Sequence, residues 1–104
     1  MSIPVSVVML AQNSAETLDR ALASVRAFDE VVVVDGGSVD ATASIAAAYP
    51  NVVWRVHPFR GFAEQRNFAL RQASHPWCLV LDSDETATPE LVEGIASRRW
   101  EDAP

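Results

Sequence analysis

Four consecutive valines, Val31-Val32-Val33-Val34, constrain this chain more than any other feature. β-Branched side chains are stiff at χ1 and fit a pleated strand. Successive residues of a strand face opposite ways, so a strand apolar at every position needs cover on both faces. That is the environment of an inner strand in a parallel sheet flanked by helices. The run stops at Asp35-Gly36-Gly37-Ser38, a turn sequence that places a carboxylate at the strand's carboxyl end.

The rest of the chain alternates strand and helix patterns in step with this strand. Val5 to Leu10 reads as strand one, 52–56 as strand three and Trp77 to Leu81 as strand four. Asn13, followed three residues later by Glu16, has the form of a capping box for helix one. Leu18, Ala21, Leu22, Val25 and Phe28 are spaced as its buried stripe. Helix two is expected over about 40–48 and is closed by Tyr49-Pro50. Helix three covers about 62–73, with Phe62, Ala69, Leu70 and Ala73 facing inward. A last helix starts near Pro89, a good first-turn residue. Strict β-α alternation with right-handed crossovers gives an α/β class, a Rossmann-like, mostly parallel sheet. At 104 residues the chain suits a single domain spanning 1–104.

Composition removes several functions. The net charge of −6 leaves no basic stripe to neutralise phosphates, so nucleic acid is not an expected partner. All eight basic residues are Arg, which rules out chemistry built on a lysine amine. Cys78 is the only cysteine, so no internal disulfide can form, and its apolar neighbours predict a buried thiol. Neither a leader-like N-terminus nor a membrane-length apolar run is present, which predicts a cytoplasmic protein, with the inner face of the membrane as one place for it to work.

The chemistry-bearing residues gather at strand ends. Leu81-Asp82-Ser83-Asp84-Glu85 closes an apolar strand with three carboxylates. Open parallel sheets bind ligands beyond the carboxyl ends of their strands. Crowded carboxylates repel one another, and a hard cation such as Mg2+ or Mn2+ relieves that repulsion through oxygen ligands. Asp35 ends strand two on the same rim, where it could accept bonds from ribose hydroxyls or a base N–H. Asp40 suits a helix N-terminus, with a nucleotide contact as the lesser reading. Asn13 is placed both to cap helix one and to line the rim. Arg66, in Gly61-Phe62-Ala63-Glu64-Gln65-Arg66-Asn67, has a planar fork that suits a phosphate or the aspartates. His57 and His75 lie beside prolines without metal-ligand spacing and read as turn residues, and Trp54 and Trp77 as packing.

Taken together, the Val33-to-Thr42 segment, the Gly61-to-Asn67 block and the Leu81-to-Glu85 motif resemble the family 2 inverting glycosyltransferases with a GT-A fold. They are most similar to the β-1,4-glucosyltransferases of lipopolysaccharide core biosynthesis. The resemblance implies a nucleotide-sugar donor, UDP-linked, and a saccharide or lipid-linked saccharide acceptor, with glucose one candidate sugar. It implies that Asp35 contacts uracil or ribose, that Asp40 supports the same loop, and that Asp82 and Asp84 hold the diphosphate through Mg2+ or Mn2+. The nucleotide-binding set is then Asn13, Asp35, Asp40, Arg66 and Asp82, and the metal set Asp82 and Asp84. Ser14-Ala15 departs from the acidic residues that core-biosynthesis members carry. Members of the family use roughly twice this length, so the chain is expected to be the donor-binding half, inactive alone, with the catalytic base elsewhere. A competing pattern is Asp82-Ser83-Asp84-Glu85-Thr86, which fits the haloacid-dehalogenase phosphatases with Asp82 as nucleophile and Asp84 as acid/base. That family places its motif after the first strand and uses a lysine. A third reading is a non-catalytic fragment that forms a homodimer through an exposed sheet edge.

Overall fold

The computed structural model describes residues 2–98. The strands are β1 (Ile3–Ala11), β2 (Phe28–Asp35), β3 (Val52–Val56) and β4 (Cys78–Val80); the helices are α1 (Leu18–Ser24), α2 (Thr42–Ala46), α3 (Phe62–Gln72) and α4 (Pro89–Ala96). They alternate along the chain, and the strands form one sheet in the order β3-β2-β1-β4 with every pairing parallel.

The pleat sorts side chains into two cores. Ile3, Val5, Val7, Met9 and Ala11 of β1 join Val31 and Val33 of β2 against α1, Ala46 of α2 and, through Val92 and Ile95, α4. Val8, Val32 and Val34 face the other way and pack on Ala69 and Phe68 of α3. The four valines are therefore divided evenly, and all are fully buried. Each such side chain contributes about 1.5–3 kcal/mol of hydrophobic stabilisation, and this doubly covered pair of strands is the rigid base of the molecule.

Several local expectations fail for physical reasons. Phe28 is not on helix one: it opens β2 and is buried at its amino end. Asn13 does not cap α1, which starts only at Leu18 behind Thr17 with no side-chain cap. Asn13 instead adopts φ +50°, a left-handed conformation that asparagine tolerates better than most residues. Helix two is shorter than its pattern. On α3, Phe62 is 69% exposed and Leu70 is exposed too, while Gln65 is buried. Its amide is satisfied, because Nε2 donates to the His57 carbonyl and Oε1 pairs with His57 Nδ1, each at 2.8 Å. His57 also stacks on Phe68, so it packs against α3 where a turn residue was expected.

The Cys78 thiol was expected to be buried, and the topology overturns this. Among the described residues β4 pairs only with β1 and lies at the sheet edge, so Trp77, Cys78 and Val80 are exposed. Its short apolar run has the composition of an inner strand without its position. The segment entering it is fixed at the opposite rim from the strand-end carboxylates. There Glu30 accepts from Ser6 Oγ at 2.7 Å, from Ser74 N at 2.9 Å and from Ser74 Oγ at 2.8 Å, and His75 Nε2 meets Asp29 at 2.6 Å. Burial pushes the Glu30 pKa up, but the hydrogen bonds from Ser74 and Ser6 outweigh it and hold the group below its ordinary value.

Candidate functional site

β1 and β2 run in register to their carboxyl ends, where Ala11 lies beside Asp35, and β4 ends one strand away on the other side of β1. The loops that leave these strands meet. Asn13, Ser14, Glu16 and Thr17 after β1, Phe62 and Arg66 on α3, and Asp82, Ser83 and Asp84 after β4 line one cavity of about 460 Å³. Asn13, Arg66, Asp82 and Asp84 are all exposed. Four of the residues singled out in the sequence thus come together from three separate connections. No ion pair ties Arg66 to another described residue, so its guanidinium is available to a ligand.

Asp35 and Asp40 do not line this cavity. Asp35 is 3% exposed, and its carboxylate is filled by its own turn: it accepts from Gly37 N at 3.0 Å, from Ser38 N at 2.7 Å and from the Ser38 hydroxyl. Gly37 turns here with φ +117°, a conformation that costs glycine little. Asp40 accepts from the Thr42 hydroxyl, from Thr42 N at 3.0 Å and from Ala15 N at 3.2 Å. These bonds, with the Thr42 hydroxyl foremost, hold its pKa below the ordinary aspartate value. Its first role is therefore the expected one at a helix start, extended by a bond across to the loop after β1.

The three strand-four carboxylates do not converge as a ligand set. Glu85 turns back, and its Oε1 accepts from Asp82 N at 2.9 Å. Among the described residues no group of three or more His, Cys, Asp or Glu side chains is arranged to hold a metal ion. Asp82 and Asp84 remain, both facing the cavity. Two hard oxygen donors beside open volume suit Mg2+ or Mn2+, which commonly take one or two carboxylates and complete their shell with substrate phosphates and water. The donor chemistry of Asp82 and Asp84 fits such a metal.

A second, apolar cleft of about 220 Å³ adjoins the first, lined by Leu10, Ala11, Gln12, Gly36, Phe59, Phe62 and Gln65. Phe59 and Phe62 meet edge to face with ring centres 4.9 Å apart. At Gly36 an added Cβ would come within 2.9 Å of Gln12 Oε1 and 3.3 Å of Phe59 Cβ, so glycine keeps this cleft open. Sequence reasoning missed Ser14, Glu16, Thr17 and Ser83 and misassigned Phe62 to the core. The available signal was the density of short hydroxyl side chains in strand-end loops, where they bond backbone groups of neighbouring loops.

This arrangement has a family. Residues 6–99 match the pattern described as "Glycosyl transferase family 2". A lipopolysaccharide core biosynthesis glycosyltransferase of Rhizobium meliloti is 36% identical over 95 residues, covering 88% of this chain and 35% of that protein. Among solved structures, a mannosyltransferase from Pyrobaculum calidifontis in complex with GDP-Man and Mn2+ superposes with a TM-score of 0.76 at 26% identity, covering all of this chain and 34% of that one. Glucosyl-3-phosphoglycerate synthase from Mycobacterium tuberculosis, in complex with UDP, gives 0.67 at 30% identity over 78% of this chain and 34% of that one. The chain spans about a third of the length of each. The match covers the strand-end motifs in order and does not favour the phosphatase alternative. The parallel sheet, its carboxyl-end rim and the family pattern agree: this chain belongs to glycosyl transferase family 2.

Proposed function

We propose that residues 1–104 are the donor-binding portion of an inverting glycosyltransferase that takes a UDP-linked sugar and delivers it to a saccharide or lipopolysaccharide-core acceptor. The observation that carries this reading is the convergence of Asn13, Arg66, Asp82 and Asp84 on one cavity at the carboxyl-end rim. Two carboxylates alone would repel a diphosphate. Arg66 lining the same cavity offers a bidentate cation, and a divalent metal held by Asp82 and Asp84 would reverse the sign of the remaining interaction. A bound Mg2+ or Mn2+ supplies Lewis-acid stabilisation for the departing nucleoside diphosphate. Asp35 acts here by fixing the Gly36-Gly37-Ser38 turn, whose glycine leaves the adjoining cleft open for the nucleoside. The UDP bound by the Mycobacterium enzyme and the GDP-Man bound by the Pyrobaculum enzyme support a nucleotide-sugar donor, the Mn2+ of the latter supports the metal, and the Rhizobium relative's role supports the acceptor class.

Inversion needs a base that removes the acceptor hydroxyl proton as the anomeric carbon is displaced. In this reading the base lies outside the chain. Glycosyl transfer by the 104-residue chain would overturn that part, and loss of such transfer in Glu16→Gln would place the base on the cavity's remaining carboxylate. The cytoplasmic location and the inner membrane face belong to the same proposal; among the described residues no helix is long and apolar enough to cross a membrane. Self-association has its place at the β4 edge, where Trp77 and Val80 are exposed, and a strict monomer in light scattering at high concentration would exclude it.

Calorimetric titration with UDP, in Mn2+ and again in EDTA, tests the donor reading. It predicts heat of binding with Mn2+ that Asp82→Asn or Asp84→Asn removes. Equal binding by both variants would contradict it.

A further inference from the structure

We infer that Thr17, aided by Ser14, is a positioning residue for Asp82 and Asp84, and that the segment between β1 and α1 is a brace joining the two sides of the donor site. The inference rests on the donor reading above. β4 ends at Val80, and the last ladder bond beyond it runs from Leu81 N to Val8 O at 3.0 Å. The carboxylates therefore sit past the end of the sheet. Their turn closes locally, through Glu85 N to Asp82 O and Asp82 N to Glu85 Oε1, and local bonds do not fix where a turn points. The next tether downstream is Ala87 N to Ser24 Oγ at 3.0 Å.

Between those points, among the described residues, two bonds hold the turn to the body of the protein. Thr17 Oγ1 donates to the Ser83 carbonyl at 2.8 Å, and the Ser14 and Ser83 hydroxyls pair at 2.9 Å. Ser83 lies between the two aspartates in sequence, so both bonds act on the residue that sets their separation. The other side of the same segment is tied to the loop after β2. Asn13 N donates to Ser38 Oγ at 2.7 Å, Val39 N donates to Asn13 Oδ1 at 2.9 Å and Ser14 N donates to Thr42 Oγ1 at 2.8 Å. Ser38 in turn bonds Asp35. A continuous path of hydrogen bonds and backbone runs from the buried Asp35 to the exposed Asp82 and Asp84. A group that orients a ligand without touching the metal commonly changes metal affinity while leaving the fold intact.

The test compares wild type with Thr17→Val, which removes the hydroxyl at nearly constant shape, and with Thr17→Ser, which restores it. Amide hydrogen exchange of residues 83–85 without ligand reads the brace itself, and Mn2+ affinity in the presence of UDP, followed by electron paramagnetic resonance, reads its consequence. Thr17→Val is expected to speed exchange at 83–85 and weaken Mn2+ binding by roughly tenfold, with exchange in β1 and β2 unchanged; Thr17→Ser is expected to behave as wild type. Unchanged exchange at 83–85, unchanged Mn2+ affinity, or an equal speeding of exchange in β1 and β2 would each overturn the positioning role while leaving the donor reading standing. Failure of the wild type to bind Mn2+ with UDP would overturn the donor reading, and the positioning role with it.

Discussion

Asp35 and the pair Asp82/Asp84 occupy equivalent places, at the carboxyl ends of parallel strands on one rim, yet their charges are used differently. Asp35 is buried, and three donors of its own turn engage both oxygens. Asp82 and Asp84 are exposed and face a cavity that also holds Arg66. The neighbouring strands account for the difference. β2 lies inside the sheet with helices on both faces, so its end is covered and must satisfy itself. Among the described residues β4 lies at the edge, and the carboxylates at its end are exposed. Topology, more than residue type, separates the buried, self-bonded aspartate from the exposed pair.

The contrast breaks first if Asp35 proves dispensable. Asp35→Ala strands the Gly37 and Ser38 amides and is expected to cost about 2–3 kcal/mol of stability in chemical denaturation. Asp82→Asn and Asp84→Asn are expected to change stability by under about 0.5 kcal/mol, yet to weaken metal-dependent UDP binding at least tenfold, or about 1.4 kcal/mol. A matched pair of results, with both classes destabilising or both silent, would erase the distinction. Gly36→Ala sharpens it: the new methyl presses on the mobile end of Gln12 and on Phe59 Cβ, for an expected cost of about 1 kcal/mol or less and weaker nucleoside binding seen by calorimetry. The smallest effect lies at the opposite rim. Glu30 has a lowered folded-state pKa, so its contribution is present above the ordinary glutamate pKa and fades as pH falls through the folded value. Thermal melts from neutral pH into the acid range should show a shallower decline in Glu30→Gln than in wild type.

Much of the fold was legible because the valine run and the strand-helix alternation report burial directly. The strand-end aspartates were legible because parallel sheets bind ligands at that rim. What escaped depended on long-range placement. Cys78 and Val80 carry an inner-strand pattern, and only the strand order puts them at an edge. Asn13 has the spacing of a capping box, but its side chain binds Val39, twenty-six residues away. Phe62 has helical spacing for the core, yet it faces the clefts because Gln65 turns inward to His57. Ser14, Thr17 and Ser83 carry no motif, since the bonds joining them span 66 to 69 positions.

The central claim is that this rim holds a nucleoside diphosphate through a metal at Asp82 and Asp84. Its most direct test is a UDP titration followed by amide NMR shifts, with Mn2+ replaced by Mg2+ to avoid paramagnetic broadening and with a metal-free control. Mg2+-dependent shifts are expected to concentrate at Asn13, Arg66, Asp82, Ser83 and Asp84, with the Asp35 turn moving less. Shifts of equal size without metal, or none at these residues in a folded chain at millimolar UDP, would contradict it.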